Sequence, residues 1–271
     1  MAVRDVNGMK QWQRRERGKQ FAIWAAWLAG VAVFTYCWQL ISEKTIWMFV
    51  LDSPRQAADL AERMIPPKWS YMSGLWVPLW DTLNIATLGT LMAIVIAVPV
   101  AFCAARNTTP SVYFVRPVAL FVIVASRSIN SLIWALMLVT IIGPGVFAGV
   151  IAIGLRSIGF CAKLLYEAIE EIDPNQVEAV AATGASGAQV LSYGIVPQVM
   201  PAFAGITVFR WDINIRESTV LGLVGAGGIG LQLDASISTL AWTQVSLILL
   251  AILATVVVSE WVSARVRHAI I

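Results

Sequence analysis

The stretch GLVGAGGIG, residues 222–230, decides the fold, because Gly225-Ala226-Gly227-Gly228-Ile229-Gly230 spells G-x-G-x-x-G. In a soluble α/β protein such glycines let the backbone close on a pyrophosphate. That reading requires a buried strand before the loop, a soluble helix after it, and an acid about 20 residues later for the ribose. Here the glycines lie between apolar runs at about 201–224 and 242–262, and Leu250 stands roughly where the acid belongs. Irregular backbone is tolerated at membrane depth only where protein or a water-filled cavity surrounds it. The glycines therefore read as a tight turn or re-entrant bend between membrane helices. Gly225, Gly227, Gly228 and Gly230 become candidate residues of a gate on the outer, periplasmic side.

Working outward, the rest of the chain supports a membrane setting. Of 271 residues, 58% are hydrophobic and 13% charged, about half the usual charged fraction of a soluble domain. A helix of about 20 apolar residues crosses the hydrocarbon layer. Runs of that kind cover about 21–41, 82–105, 117–142, 147–168, 201–224 and 242–262. The first is longer than a signal-peptide core, and the SEKT that follows offers no small-x-small cleavage site. Segments 1–20, 106–117 and 264–271 carry ten Lys and Arg, whereas the balanced segment 43–80 carries four. The positive-inside rule then puts both termini in the cytoplasm. The expected fold is an all-α, multi-pass membrane protein of six transmembrane helices in the inner (cytoplasmic) membrane. Pro99 predicts a kink in the second span. Within 43–80, Ser53 reads as a cap and Pro54 as the first turn of an amphipathic helix over 54–65.

Several kinds of chemistry have no residues to carry them. Cys37, Cys103 and Cys161 stand apart inside apolar runs, and His268 is the sole histidine. No metal site follows from that set. The chain lacks a Walker A loop, an H-E-x-x-H and a nucleophile elbow. The sequence thus predicts no enzyme, no catalytic residue, no nucleic-acid partner and no cofactor on this chain. Any ATP and Mg would sit on a partner subunit.

Span five holds Arg210, Asp212, Asn214, Arg216 and Glu217. Arg210, Asp212 and Arg216 alone cost about 8–10 kcal/mol at mid-membrane, against about 3–6 kcal/mol returned by the apolar residues of the span. Lipid cannot surround this helix. Helical spacing puts Arg210, Asn214 and Glu217 on one face, with Asp212 and Arg216 on nearly the opposite one. The two charges of Asp212 and Arg216 either neutralise each other or place an arginine on a wet anion pathway. Arg127, among Ser126, Ser128 and Asn130 in span three, is a second intruder. It either joins that pathway or forms an ion pair with Asp212 or Glu217. Arg156 lies nearer the outer end of span four and reads as a snorkelling side chain of lower weight. The candidate pathway residues are therefore Arg127, Arg210, Asn214, Arg216 and Glu217.

The polar section after span four carries the most specific pattern. Glu178-Ala179-Val180, then Gly184, then Val196-Pro197 resembles the EAA loop of ABC importer permeases. Val180, Gly194 and Val196 depart mildly from that pattern, and Gly194 predicts a loosened second short helix. The stretch ATGASGAQVLSYGIVPQVMPAFAGITVFRWDINIRESTVLGLVGAGGIG is similar to the permease subunits of phosphonate and phosphite importers, as is EAIEEID before it. RSINSLIWAL matches the same subgroup loosely, with Asn130 where a proline is common. The resemblance covers about 81–271, the permease core with a cytoplasmic coupling loop at 170–200. Residues 1–80, comprising the N-terminus, first helix and periplasmic segment, add little to it.

The resemblance implies a type I ABC importer fold and a transport subunit without chemistry of its own. Its implied partners are a second permease copy in a homodimer, two ATP-binding subunits and a periplasmic phosphonate- or phosphite-binding protein, all at the lipid membrane. Glu178, Ala179, Gly184 and Pro197 would couple to the ATP-binding subunits. Two other readings stay open at this point. A secondary anion transporter or channel would not need the 170–200 loop, and a membrane enzyme acting on phosphate-bearing lipids would need a nucleophile or metal ligands.

Overall fold

The computed structural model describes residues 3–6, 9–12 and 17–270. Two compact units follow each other along the chain, Met1–Glu62 and Arg63–Ile271. In the first, strands β1 (Val3–Val6) and β2 (Met9–Trp12) pair antiparallel, a hairpin that the basic composition of this segment does not announce. Arg14 and Arg15, part of that basic flank, lie outside the described residues. Helix α1 (Arg17–Lys44) covers the first apolar run. Helix α2 (Trp47–Met64) starts well before the expected 54 and runs through Pro54. Ser53 does not cap it. Its Oγ donates to the Val50 carbonyl at 2.7 Å, the carbonyl that Pro54, having no N–H, leaves unpaired.

The second unit is a helical bundle built around α3 (Trp76–Ala104), α6 (Val146–Glu170) and α9 (Val196–Leu221). A 3-10 segment, Trp69–Leu75, leads into α3, and Pro99 falls inside that continuous helix. Apart from Ile85, the buried residues of α3 are small, and Thr82, Ala86, Gly89, Ala93, Ala97, Ala101 and Ala104 recur every three or four positions. Small side chains also dominate the buried stripe of α6. Between lipid-facing helices no hydrophobic drive favours association, so close backbone packing at small residues must supply it.

The third span is not one helix. It breaks into α4 (Val115–Ser128) and α5 (Ser131–Ile142), bent by 85°. Asn130 caps α5 by accepting from the Leu132 N–H at 3.1 Å, which ends one helix and starts the next. Ser126 fixes the other side of the bend. Its Oγ donates to the Leu155 carbonyl and accepts from the Gly159 N–H at 2.9 Å. Among the described residues, five helices are long and apolar enough to cross a membrane, or six when the bent pair counts as one span.

The bundle has two distinct ends. At one, Arg106 N–H donates to Glu170 Oε1 at 2.9 Å and Asn107 to the Ile169 carbonyl at 2.6 Å. Arg116 adds a 3.5 Å ion pair to Glu170, so the basic loop after α3 joins the end of α6. At the other end Gly145 N–H donates to the Gly225 carbonyl at 3.0 Å, and Lys68 N–H to Thr243 at 3.0 Å. Helix α10 (Ile229–Ser238) follows the glycine loop, where the sequence suggested a tight turn or re-entrant bend without naming a helix. Helix α11 (Trp242–Ile270) then returns to the basic end.

Candidate functional site

Three places in the second unit contain the candidate residues, and α9 runs through or beside all of them. The first is a knob at the basic end. Asp173 caps α7 (Pro174–Ala182), accepting from the Asn175 N–H at 3.0 Å, with Pro174 in the first turn. Gly184 ends it at φ 83°, a left-handed conformation that glycine adopts without penalty. Ser186 and Gln189 then form a capping box over the short α8 (Gly187–Val190). A π-helical turn, Leu191–Ile195, joins α8 to α9. The loosening expected from Gly194 takes this form. A Cβ there would already lie 3.4 Å from Val177 Cα, so the wide turn lets α7 lie against the start of α9. Gln198 fastens the two by accepting from Asp173 N–H at 3.0 Å and donating to the Gly194 carbonyl at 2.7 Å. Val177 and Val180 turn inward, whereas Glu178, Ala179, Gly184 and Pro197 are all exposed.

The second place is the glycine loop. It follows a helix rather than a strand, so no dinucleotide-binding unit surrounds it. Gly225, Gly227 and Gly228 have φ of 86°, 83° and 76°. Ala226 through Gly230 are buried, and Ile229 N–H is satisfied by Thr82 Oγ1 at 2.8 Å. A side chain at Gly230 would run into the Thr219 carbonyl. The chain thus folds back tightly on the end of α9, wedged among α3, α5 and α6.

The third place is a polar seam between α3, α6 and α9. The two faces of α9 separate as its spacing predicts. On one, Arg210 is 2% exposed; its Nε donates to Ser157 Oγ at 2.9 Å, and its guanidinium lies 5.0 Å from the Phe160 ring centre. Ser157 Oγ in turn donates a hydrogen bond to Asn214 Oδ1 at 3.2 Å, and Asn214 Nδ2 donates to Thr90 Oγ1 at 2.8 Å. Thr90 closes the relay on the Ala86 carbonyl at 2.6 Å. Every polar group in this relay has a partner, as burial demands. On the opposite face Asp212 pairs with Arg216 and accepts from Ser259 of α11 at 2.8 Å.

Glu217 occupies the junction. It accepts from Arg156 at 2.5 Å and forms a 3.4 Å ion pair with Arg210. Arg156 is therefore not a peripheral snorkelling side chain but a member of the network, and its Nη1 also donates to Ser131 Oγ at 3.3 Å. Arg127 stands apart. It is exposed at the end of α4, its stem lies against Gly159, and it pairs with neither Asp212 nor Glu217. Those carboxylates already hold Arg216, Arg156 and Arg210. A cavity of about 300 Å3 opens beside the network, lined by Asn130, Ser131, Leu132, Arg156, Arg216, Glu217, Val220 and Leu221.

Spacing along α9 found Arg210, Asn214 and Glu217 together, but it missed Arg156, Ser157, Ser131 and Thr90, which reach them from other helices. One signal for Arg156 was present in the sequence. Span four holds two cations, Arg156 and Lys163, but one carboxylate, Glu167, which stands four residues after Lys163 and so leaves Arg156 without a partner at helical spacing.

Comparison with known proteins agrees with this architecture. Residues 97–270 match the family model described as "binding-protein-dependent transport system inner membrane component". The chain is 40% identical over 273 residues to the phosphite transport system permease protein PtxC of Stutzerimonas stutzeri, covering 97% of each. It is 38% identical over 219 residues to the phosphate-import permease protein PhnE of Mycolicibacterium smegmatis, covering 81% of this chain and 41% of that one. A chain of the inward-facing MetNI methionine ABC transporter superposes with a TM-score of 0.65 at 20% identity, over 75% of this chain and 99% of that chain. At that identity the likeness concerns the fold. The knob after α6, the broken span and the family match converge: this chain belongs to the family of inner membrane components of binding-protein-dependent transport systems.

Proposed function

We propose that this permease carries a small phosphorus oxyanion, phosphite or phosphonate, along the α9 seam while a partner subunit hydrolyses ATP. It is the transmembrane subunit of an ATP-binding-cassette importer, and its relatives are named for phosphite and phosphate transport. Two copies pair in the inner membrane with both termini in the cytoplasm. Each copy crosses the membrane six times, and a periplasmic binding protein delivers the anion. Clustering of Arg106 and Arg116 at the knob end of the bundle supports that orientation.

One observation carries the mechanism. The exposed knob and the charged seam are joined by one helical stretch, Gly187–Val224, with no hinge loop between them. A partner gripping Glu178, Ala179, Gly184 and Pro197 would move α7 and α8, and α9 would transmit that motion to Arg210, Asn214, Arg216 and Glu217. The glycine loop at the far end of α9 would then open or close the outer side, with Gly225, Gly227, Gly228 and Gly230 as its gate. Arg127, exposed at the bend of α4 and α5, would line the approach. Such coupling requires that nucleotide-bound and nucleotide-free partners prefer different conformers of this chain. ATP and Mg stay on the partner, and this chain has no reaction of its own.

The test is co-purification with the ATP-binding subunit, followed by uptake in proteoliposomes bearing Glu178→Arg. Loss of ATP-dependent phosphite uptake with normal membrane insertion is the expected result. Uptake that survives Glu178→Arg, or that proceeds without the ATP-binding subunit, would instead indicate a secondary transporter or channel.

A further inference from the structure

The polar network has a charge imbalance beside its cavity. Arg156, Arg210 and Arg216 face only Asp212 and Glu217, so these five groups sum to one positive charge. Arg156 lies ten residues into the 25-residue α6, about 15 Å along its axis, so the excess falls along the middle of the bundle rather than at its end. An unbalanced charge at such depth is costly and marks a substrate or ion path. Arg210 is sealed by Ser157 and Phe160, so the excess can meet a solute only through Arg156 or Arg216, which line the cavity.

Both arginines retain donors for such a solute. A guanidinium presents five N–H groups in a fixed fork. Arg156 engages Glu217 and Ser131 through Nη1 alone, and its Nη2 and Nε make no hydrogen bond among the described residues. Arg216 uses Nη2 on Asp212 and keeps a side chain 51% exposed. The cavity's volume of about 300 Å3 corresponds to roughly ten waters, room for a small oxyanion and part of its hydration shell. Ser131 and Asn130 bring the start of α5 to the same wall.

We propose that this cavity is an oxyanion subsite on the import route. Arg156 and Arg216 hold a small phosphorus oxyanion there, Ser131 orients the Arg156 fork, and Glu217 yields Arg156 to the arriving anion. The proposal rests on the importer reading above. Forks of this geometry match the paired oxygens of phosphite or a phosphonate better than a point charge does. Glu217 keeps Arg210 when it releases Arg156, so neither partner is left alone.

The experiment uses the full complex of permease, ATP-binding subunits and binding protein in proteoliposomes, with phosphite as the probe. Phosphite imported per ATP hydrolysed is the readout, because a merely damaged fold lowers both rates together. Arg156→Gln should lower this ratio at least tenfold while ATP hydrolysis stimulated by the binding protein persists. The double variant R156Q/E217Q removes both members of the Arg156–Glu217 pair and leaves Arg210 held by Ser157 and Phe160 alone; with Arg156 absent, it should stay equally low. Recovery of the wild-type ratio in the double variant would show Arg156 to be only a structural partner and would overturn the proposal. If neither variant assembles, Arg156→Lys decides, since it keeps the charge and loses the fork: a ratio several-fold below wild type supports the subsite, and an unchanged ratio overturns it. Wild-type complex that imports no phosphite would overturn the importer reading itself, a result separable from the others.

Discussion

The knob and the seam follow each other along the chain, the knob running into the helical stretch that carries the seam, and they obey opposite rules. In the knob the functional candidates are exposed, and their partners are local: Asp173 caps its own helix, Ser186 pairs with Gln189, and Gly184 closes a turn. In the seam Arg210, Asp212 and Asn214 are buried, and the partners of the network come from α3, α5, α6 and α11. A surface element offered to a partner keeps its own fold and leaves its face free. A buried charged element cannot remain free, because each group must be satisfied inside the bundle. Damage to the first should therefore uncouple a stable protein, and damage to the second should destabilise it.

That contrast can be broken or sharpened by substitution. The largest effect on stability is expected from Glu217→Ala, which leaves Arg156 and Arg210 without their shared carboxylate. Loss of one partner of a buried pair costs about 3–5 kcal/mol, visible as a large drop in thermal stability of the detergent-solubilised chain. Glu178→Arg should do the reverse, reducing uptake more than tenfold while leaving the melting temperature within error. A melting temperature that falls with it would make the knob as structural as the seam. Gly184→Ala places a side chain at φ 83° and should cost about 1–2 kcal/mol, read as a modest melting shift together with weaker retention of the ATP-binding subunit. Asn130→Ala removes the cap of α5 and should cost about 1 kcal/mol. Lys163→Ala should be the mildest. Its pair with Glu167 is 38% and 41% exposed, and an exposed i, i+4 pair contributes about 0.3–0.5 kcal/mol.

Legibility from the sequence followed the same division. The knob's pattern is a matter of spacing: Glu178 to Gly184 and Gly184 to Pro197 are short intervals along one segment, and their local turn chemistry is written in the residues themselves. The apolar runs were legible for a related reason, since lipid imposes length and composition on each span independently of the others. The break at Asn130 was less so. Residues 117–142 form one apolar run, and only the Asn130 cap and the anchoring of Ser126 to α6 turn it through 85°. The start of α2 was misjudged because Pro54 suits a first turn in isolation, whereas Ser53 relieves it in mid-helix.

Residue by residue, the chain alone determined that it is a helical membrane protein with a polar knob after its fourth apolar run, and that span five is too charged for lipid. Composition and spacing along one short segment of chain suffice for each of those conclusions. Only the tertiary structure decided which charges meet. Arg156 and Glu217 are 61 residues apart and share an ion pair because α6 packs on α9, while Arg127, as conspicuous in the sequence, is left exposed. Which groups pair in a bundle depends on the close packing of helices at small residues, and no periodicity within one segment encodes the depth or rotation at which two segments meet.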